Sequence, residues 1–505
     1  MKKIIVILFA LTLLLAGCES GGDISAESKA VSEAEESFEI SEISEISEES
    51  SEAEKTVFPL ENEVYSYENE ENILDFVYFG DGICFRFYPK SEAENADFAF
   101  TYQSVASVSE NTLTAEYKGD FSVFSLTFSY EAAKAEIKGE TGIFSGEYKA
   151  IKTEKKEYPA PELPKVVLDE NCEVKLDVGI ANAVRAEYGL SENAYLSREF
   201  LLTVTDLSLF EDKLVSLTGI ENLENLDTIY IMQSYLTDIS PLLMLPRIKN
   251  IDLGWSYVKE LPEMDENCKV ERLSVTNACV TDLAPLARAV NLKSLDVSQN
   301  FIKSIAPLKD LENLEFLGVR GNCILDWETV KDNKSLINAL AALDYDYDLA
   351  VKAVEKAKEI SSEIIKENMT ELQKEKACYD YIRDNMDYGV VHGFMKPFGY
   401  QALFGKKGVC GHYSEGLTLL LNVSGLEAIS ISSDTHEWNM VKIGESFYHA
   451  DALWDEDCGQ YPSYFNVGTE EMMGETDHVH DLFKYPTACK MHPLVYARDF
   501  GNIIK

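Results

Sequence analysis

The chain has 505 residues and a formal net charge of −43 at pH 7, an acidic excess that makes nucleic acid and anionic membrane surfaces unsuitable partners because like charges repel. Its length leaves room for about three domains of ordinary size. The ten cysteines are scattered without a C-x-x-C pair, which argues against a zinc site or a dense disulfide framework, so we expect no metal and no cofactor.

The N-terminal end of the chain has the pattern of a secretory signal. Two basic residues, Lys2 and Lys3, precede an apolar run over residues 4–15 that is too short to span a bilayer comfortably. The order Leu-Ala-Gly-Cys ending at Cys18 resembles the lipobox of bacterial lipoproteins. This resemblance implies cleavage before Cys18, a diacylglycerol on its sulfur, and a lipid-anchored protein on the extracellular face of the bacterial cell membrane. The alternative is an ordinary signal peptide with a chance cysteine.

Two segments of different composition follow the signal at residues 1–17. Residues 18–56 are rich in Ser and Glu and almost free of aromatic residues, which predicts a disordered tether extended by charge repulsion. Residues 57–160 alternate apolar and polar residues in short runs such as ILDFVYFG and GICFRFYP, separated by turn residues. That alternation predicts a small antiparallel β domain, either a barrel or a sandwich. The proline-rich stretch 157–165 marks the linker that follows.

Residues 166–335 contain a sequence repeat with a constant step. Central apolar positions recur without gaps and at equal spacing at Leu207, Ile229, Ile251, Leu273, Leu295 and Leu317. One unit cannot cover its own apolar face, so neighbouring units are expected to stack into a curved solenoid. The pattern resembles the leucine-rich repeat of internalin-type surface proteins, with a preceding stretch similar to their helical N-terminal cap. Asn300 and Asn322 occupy the position of the backbone-bonding Asn of such repeats, whereas Ser234 and Ser256 depart from it and should loosen the turns slightly.

The strands of these repeats are expected to form one concave face. Side chains at strand centres, among them Tyr230, Asp252 and Asp296, should project from that face. Protein binding is the usual use of such a surface, which makes a protein ligand the expected partner of the repeats. A face this small and mixed is also compatible with a spacer, and no residue in the repeats indicates chemistry.

Cys410 stands where a thiol can be activated. Two helices are predicted over residues 347–389, and Cys410 then follows a turn-prone stretch containing Gly408 and precedes an apolar run at helical spacing. The N-terminus of a helix offers the positive end of the dipole and unpaired backbone N–H groups, which favour the reactive thiolate. The same N–H groups can stabilise a developing oxyanion.

His436 and Asp451 are the predicted base and orienting group for Cys410. The residues between them fit an antiparallel strand pair with its turn at residues 444–446, which places the two side chains at similar distances from the turn. They should therefore be close cross-strand neighbours. We expect Asp451 to accept the Nδ1 proton of His436 and Nε2 to face Cys410.

Three sequences around these residues, GVCGHYS, HEWNMV and YHADALWDED, resemble the core blocks of the transglutaminase-like superfamily in the order Cys, His, Asp. The resemblance covers residues 345–505. It implies an α+β, papain-like fold in which a helix bearing Cys410 packs on an antiparallel sheet bearing His436 and Asp451. It also implies that Cys410 is the nucleophile, His436 the base and then the acid, and Asp451 the orienting residue.

The same resemblance bears on positions around the triad. Trp454 matches a Trp that frequently follows the Asp block, and Gln401 or Tyr400 is a candidate for a second oxyanion donor or substrate contact. Many members have glycine where this chain has His412, which we expect to narrow or polarise the entrance. The D-H-V-H sequence at residues 477–480 lacks supporting metal-ligand spacing, and family members need no metal.

Two functions remain open from the sequence. The first is a membrane-anchored extracellular cysteine enzyme of peptidase, amidase or transglutaminase type, which acts on a protein or peptide substrate and binds protein through its repeats. Water or an amine could resolve its thioester, and the sequence does not decide between them. The second is a non-catalytic surface adhesin that uses only the repeats. The presence of all three triad residues favours the enzyme.

Overall fold

The structure is a computed structural model in which the chain divides into two compact units, residues 1–153 with 493–505 and residues 154–492. It describes residues 59, 63–79, 82–92, 100–109, 111–118, 123–129, 134–139, 145–151, 164–210, 214–391, 396–456, 463–488, 490–491 and 493–500. The predicted signal, Cys18 and the tether lie outside the described residues. Among the residues that are described, no helix is both long and apolar enough to cross a membrane.

The first unit contains a closed antiparallel barrel of eight strands. These are β1 Val64–Glu68, β2 Asn72–Phe79, β3 Gly82–Pro89, β4 Phe100–Ser109, β5 Thr112–Lys118, β6 Val123–Ser129, β7 Lys134–Gly139 and β8 Gly146–Ala150. Alternate residues fill the interior, where the rings of Phe76 and Phe128 lie 4.2 Å apart. The antiparallel β domain predicted from the alternation is confirmed. Pairing of β1 with both β2 and β8 closes the sheet and leaves no unpaired edge.

Helix α10, Pro493–Phe500, belongs to this first unit although the sequence placed it in the C-terminal domain. Ala497 joins a buried apolar cluster with Val77 of β2 and Cys84 of β3, and its carbonyl accepts a hydrogen bond from Gln103 Nε2 at 3.4 Å. We predicted that residues 345–505 form one domain, and in the structure residues 493–500 of that range pack on the barrel. Val77 and Cys84 alternate with interior residues and point outward, so they need an apolar cover that the helix supplies.

The N-terminal part of the second unit contains a parallel sheet of six strands in register. These are β9 Asp206–Phe210, β10 Thr228–Met232, β11 Asn250–Gly254, β12 Arg272–Thr276, β13 Ser294–Asp296 and β14 Phe316–Gly318. Helices α1 Val178–Glu187 and α2 Arg198–Leu201 precede it, α3 Ser240–Leu243 lies between β10 and β11, and α4 Lys334–Ala341 follows β14. Each strand residue pairs with its equivalent in the next repeat, as Ile229 does with Ile251. After each of five strands, the backbone adopts the left-handed conformation with positive φ at the same position of the repeat. These residues are Gln233, Trp255, Asn277, Gln299 and Gly321.

The turns of this sheet depend on buried side chains at one repeated position. Asn300 accepts a hydrogen bond from Val280 N at 3.0 Å and donates to the Val275 carbonyl at 2.8 Å. Asn322 makes the same pair of contacts one repeat later. At the corresponding positions of earlier repeats, the buried hydroxyls of Ser234 and Ser256 have no hydrogen-bond partner among the described residues. The substitution of serine therefore leaves these turns without their side-chain bridge.

The rest of the second unit combines helices with an antiparallel sheet. The helices are α5 Tyr347–Ile364, α6 Glu371–Asn385, α7 Phe398–Tyr400 continued by a π turn at Gln401–Gly405, α8 Cys410–Val423 and α9 Thr469–Met472. The sheet has the order β17 Glu427–Ser432, β18 Glu437–Ile443, β19 Ser446–Ala450 and β20 Phe465–Val467, beside a short parallel pair of β15 Asp387–Tyr388 and β16 Lys407–Gly408. Helix α8 packs against β17 and β18. The two predicted helices before Cys410 and the predicted hairpin are both present.

Candidate active site

Cys410 is the first residue of α8 and is half-buried. Glycine at position 408 makes this start possible, because a Cβ there would meet the Cβ of His412 at 2.3 Å. The His412 ring turns back under the helix start, where Nδ1 accepts the Val409 N–H at 3.3 Å and the ring stacks on Phe398 at 4.2 Å. Desolvation lowers the pKa of His412 to about 4. We expected His412 to narrow or polarise an entrance, but its ring is buried and serves as a helix cap.

Contacts between α8 and β18 bring the start of the helix to the start of the strand. Ser414 Oγ donates to the Trp438 carbonyl at 2.8 Å, and Asn439 Nδ2 donates to the Ser414 carbonyl at 3.0 Å. Asn439 Nδ2 also reaches Thr418 Oγ1 at 2.7 Å. Strand β17 returns along α8 after a short turn and pairs antiparallel with β18, so α8 and β18 run in the same direction.

His436 and Cys410 therefore belong to the same end of this helix–strand contact. Cys410 lies one helical turn before Ser414 on the same face of α8. His436 lies two residues before Trp438. A Cβ on Gly411 would stand 3.0 Å from Glu437 Oε2, which confirms that the first turn of α8 abuts the residue next to His436.

His436 and Asp451 form a direct hydrogen bond, with 2.6 Å between Nε2 and Oδ2. We predicted the opposite ring nitrogen, Nδ1, and that assignment was wrong. In the observed register Asn439 pairs with Ala450, so Asp451 lies one position past the pair while His436 lies before the strand begins. Counting residues from the turn gave their proximity correctly, but it cannot give ring orientation. Nδ1 is the ring nitrogen that does not contact Asp451.

Asp451 accepts hydrogen bonds on both carboxylate oxygens. Oδ1 accepts the backbone N–H groups of Leu453 and Trp454 at 3.0 and 3.1 Å, and Oδ2 accepts Nε2 of His436 and of His478 at 2.6 and 2.9 Å. Burial alone would raise the pKa of this carboxyl, but the hydrogen bonds from the two histidines outweigh it and the pKa is lowered. Asp451 is thus held as a carboxylate, and each bonded histidine must donate from Nε2.

His478 is a member of this cluster that the sequence reasoning missed. It ends a short 3₁₀ turn at Thr476–His478 and is fully buried. We considered the D-H-V-H sequence as a possible set of metal ligands, and we noted that YFNVGTEEMMGETDH, which ends at His478, resembles a downstream block of bacterial members of the transglutaminase-like superfamily, but we assigned His478 no role at the triad. The signal that could have found His478 is this block itself, because it continues past strand β20, which returns the chain to the same end of the sheet as Asp451.

Two further histidines within the described residues, His449 and His480, are hydrogen-bonded in the core. His449 Nδ1 accepts the indole N–H of Trp438 at 3.1 Å, so Nε2 carries the proton and lies 3.0 Å from Thr469 Oγ1. Burial holds the pKa of His449 well below its usual value. His480 Nδ1 lies 2.9 Å from the carbonyl of His478, and burial lowers its pKa too. Both rings pack beside Trp438.

Three donor atoms, on His436, Asp451 and His478, lie within 4.8 Å of one another and could in principle hold a metal ion. Histidines that bind metals almost always donate their second ring N–H to an acceptor. The buried Nδ1 of His478 has no hydrogen-bond partner in the described part of the chain, so it lacks such an acceptor. The cluster therefore fits a hydrogen-bonded carboxylate better than a metal centre.

Of the remaining predicted residues, Trp454 is placed beside the site and the oxyanion candidates contact their own turn. The Trp454 ring lies 5.8 Å from the His436 ring and 4.5 Å from the His478 ring, and it is 37% exposed. Gln401 Nε2 reaches the Lys407 carbonyl at only 3.5 Å, and the Tyr400 ring stacks on Phe404 at 4.5 Å. Trp454 can thus line the approach to His436.

Comparison with known protein families finds a match for part of the chain. A match to the family model described as the transglutaminase-like superfamily extends over residues 358–452. Residues 358–452 are thus similar to the transglutaminase-like superfamily. The match includes Cys410, His436 and Asp451 and ends before Trp454 and His478. Such a domain is compatible with a cysteine-based enzyme. No curated protein matches the chain.

The solved structures similar to this chain include three internalins from Listeria monocytogenes. Internalin C2 is 22% identical with a TM-score of 0.25, and the similarity covers 31% of this chain and 80% of that one. An internalin named inlF is 24% identical with a TM-score of 0.22, covering 32% and 60%. The functional domain of InlJ is 20% identical with a TM-score of 0.21, covering 30% and 43%. The chain thus spans less than two thirds of the second and third neighbours.

Proposed function

We propose that this protein is a cysteine acyl-transfer enzyme in which Cys410 is the nucleophile, His436 the general base and acid, and Asp451 the orienting residue. The observation that carries the proposal is the 2.6 Å bond from His436 Nε2 to Asp451, at the strand end that abuts the first turn of the Cys410 helix. A nucleophile, a base and a third group that orients the base are what covalent acyl transfer requires.

The proposed reaction proceeds through a thioester. His436 Nδ1 takes the proton of the Cys410 thiol, and the sulfur attacks the carbonyl carbon of a carboxamide or peptide. The C–N bond then breaks, and the imidazolium returns the proton to the leaving nitrogen. Asp451 stabilises the imidazolium without being protonated itself, in keeping with its lowered pKa. Backbone N–H groups at the start of α8 would stabilise the oxyanion.

The second half of the reaction defines the enzyme class. Water, deprotonated by His436, attacks the thioester and gives a carboxylate, which would make the protein a peptidase or amidase. A primary amine gives a new amide instead, which would make it a transglutaminase. Both outcomes regenerate the Cys410 thiol, and both use the same three residues.

The repeats would supply protein binding beside this chemistry. In the parallel sheet, Tyr230, Asp252 and Asp296 stand at the same register position of their strands, as a shared face requires. Tyr230 is exposed, Asp252 and Asp296 are half-buried, and Asp296 Oδ1 also accepts the Ser298 N–H at 3.0 Å. We infer that the strands form the concave face of a leucine-rich-repeat solenoid and that a protein ligand contacts it.

The location of the enzyme follows from its predicted signal sequence and from Cys18. We propose that Cys18 carries a lipid and that the chain acts on the extracellular face of the bacterial membrane, separated from it by the Ser/Glu tether. Labelling cells with radioactive palmitate tests the anchor. The protein should incorporate label, and the Cys18→Ala variant should not.

Alkylation of Cys410 and analysis of reaction products test the chemistry. Iodoacetamide should modify Cys410 much faster near neutral pH in the wild type than in His436→Ala, read by mass spectrometry of the Cys410 peptide. The protein is then incubated with a mixture of proteins, with Cys410→Ala as the control, and new termini, deamidated glutamines and isopeptide bonds are counted. Equal slow alkylation of both proteins and no product would contradict the proposal and favour the non-catalytic adhesin.

A further inference from the structure

We propose that His478 is a positioning residue that fixes the Asp451 carboxylate, and through it the plane of the His436 ring, for the reaction at Cys410. The inference rests on the proposed function and extends it beyond the residues 358–452 that match the transglutaminase-like superfamily. His478 comes from a segment 27 residues after Asp451 in the sequence, yet its Nε2 lies 2.9 Å from Asp451 Oδ2.

The geometry of Oδ2 explains how one histidine can position another. A carboxylate oxygen has two lone-pair directions, and here each is occupied by an imidazole N–H, from His436 at 2.6 Å and from His478 at 2.9 Å. The two rings lie 5.0 Å apart and nearly perpendicular, at 78°. Because His478 occupies one direction, the bond to His436 is confined to the other. Loss of the His478 donor would free the carboxylate oxygen to accept His436 from a wider range of angles.

His478 is itself held by a shell of aromatic rings and hydrogen bonds. Its ring is parallel to Tyr464 at 5.6 Å and meets the edges of Trp454 at 4.5 Å and Trp438 at 4.8 Å. The adjacent Asp477 accepts a hydrogen bond from Ser433 Oγ through its carbonyl at 2.6 Å. A fully buried ring so enclosed has no freedom to leave the carboxylate without disturbing its neighbours.

Residues 481–485, which follow His478, contact side chains of the repeats. The Tyr257 hydroxyl donates to Asp481, and the Phe483 ring lies 5.5 Å from Tyr257 and 5.8 Å from Tyr235. Tyr485 meets Phe301 at 6.0 Å. The repeats therefore fix the chain just beyond His478, so that the segment bearing the second donor is held at both ends.

An alternative role for His478 is a ligand to a metal shared with His436 and Asp451. That role requires Nε2 of both rings to be unprotonated, whereas the carboxylate oxygen between them needs N–H donors. It would also place the proton of His478 on Nδ1, which is buried without an acceptor among the described residues. The hydrogen-bonded arrangement leaves only an unused lone pair at that atom.

Two substitutions of His478 with side chains of different length distinguish a positioning role from a packing role. The amide nitrogen of glutamine can stand where Nε2 stood, so His478→Gln keeps a donor to Asp451, whereas asparagine is too short, so His478→Asn loses it. The matched control is Asp477→Asn, which changes the neighbouring residue of the same turn, whose carboxylate contacts Thr435 rather than Asp451. Each full-length protein is alkylated with iodoacetamide at neutral pH at equal folded fraction, and the rate at Cys410 is measured.

We expect the alkylation rate of Cys410 in His478→Gln and Asp477→Asn to lie within about threefold of the wild-type rate. In His478→Asn we expect the rate to be about 10- to 100-fold lower, because a displacement of a catalytic group by about 1 Å has a cost of this order. Equal rates for wild type and His478→Asn would overturn the inference. Equal losses in the Gln and Asn variants would also overturn it, because packing alone would then explain the effect. Inhibition of the wild type by zinc that is absent in both variants would assign the metal role instead.

A separate measurement keeps this test independent of the proposed function. If wild-type Cys410 reacts no faster than an ordinary thiol, the proposed function fails, and the inference is then decided by nitrogen-15 NMR of labelled histidines. His436 should show a single tautomer with its proton on Nε2 in the wild type and in His478→Gln, and a mixture in His478→Asn. An unchanged His436 spectrum in His478→Asn would overturn the inference in that case too.

Discussion

The hydroxyl of Tyr379 donates a hydrogen bond to the backbone carbonyl of Asp451 at 2.8 Å. Tyr379 is fully buried on α6, and its hydroxyl also contacts the carboxylate of Asp455. Asp455 in turn accepts the N–H groups of Ser463 and Tyr464. Helix α6 thus fixes the backbone at Asp451, the proposed orienting residue.

Tyr379→Phe tests this support with the smallest available change. The ring is kept, but the carbonyl of Asp451 loses its donor in a buried site, which should lower the free energy of unfolding by about 1–2 kcal/mol. Alkylation of Cys410 should slow several-fold because Asp451 shifts. Chemical denaturation and the alkylation rate measure the two effects. Tyr195→Phe is the matched control, since Tyr195 is exposed and lies before the repeats, and an effect of equal size there would contradict the assignment.

Asp451→Asn should remove most of the Cys410 reactivity and destabilise the fold. All four groups that contact the carboxylate are N–H donors, so either orientation of the amide turns its NH₂ toward two of them. The expected cost is about 2–4 kcal/mol, from a buried polar group left without a partner. Denaturation and alkylation measure it, with Asp434→Asn in an exposed turn as the control. Wild-type reactivity in folded Asp451→Asn would refute the orienting role.

The pH dependence of stability has a defined sign at Asp451. Because the folded state lowers the pKa of this carboxyl, its contribution to stability is present above the unfolded pKa and is lost as pH falls through the folded value. Glu375 has the opposite sign. It is fully buried on α6, Oε2 accepts Asn466 Nδ2 at 2.9 Å, and desolvation raises its pKa to about 8.

Glu375→Gln should therefore flatten the stability profile between about pH 5 and pH 8. A carboxyl with a raised folded pKa stabilises the fold fully below its unfolded pKa, near 4.5, and loses that contribution as pH rises toward 8. Thermal unfolding of both proteins from pH 5 to 9 should show the wild type losing up to a few kcal/mol relative to the variant. Glu415 also has a pKa raised to about 8 by burial, so the difference between the two proteins is the informative quantity. Parallel profiles would show that Glu375 is ionised in the folded state.

The sequence predicted well those features that have a period or a local chemical signature. The constant step of the repeat predicted the strand register of the parallel sheet, the period of two predicted the antiparallel strands, and the turn at Gly444 predicted the hairpin that joins β18 to β19. The helix start at Cys410 could be predicted because small residues precede an apolar run. Each of these features depends on residues that are neighbours in the chain.

The features that were missed depend on contacts between distant segments. The ring orientation of His436 depends on the position of Asp451 just past the end of β19, which residue counting does not resolve. His478 reaches Asp451 only after an additional strand and turn, and α10 returns to a barrel whose strands come from the opposite end of the chain. No periodicity in the sequence encodes such returns.

The two kinds of residue at the buried turn position of the repeats provide an internal comparison. Asn300→Ala removes a side chain that bridges Val280 N and the Val275 carbonyl, and should cost about 2–4 kcal/mol because two buried backbone groups lose their partner. Ser256→Ala changes the same position two repeats earlier, where the hydroxyl has no partner among the described residues, and should be neutral or slightly stabilising. Equilibrium denaturation of both variants decides the matter. Equal losses would show that the position contributes only by packing.

Phe483→Ala tests whether the repeats support the active site or only adjoin it. The variant removes the ring that packs on Tyr235 and Tyr257 and leaves every residue of the carboxylate cluster in place. We expect a loss of about 2–3 kcal/mol in the free energy of unfolding. We also expect slower alkylation of Cys410 in the folded protein, because the segment carrying His478 is released at one end. Phe316→Ala, an exposed ring on the last repeat strand, is the control and should change neither quantity. A destabilised Phe483→Ala protein with unchanged alkylation would mean that the repeats stabilise the second unit without influencing its candidate active site.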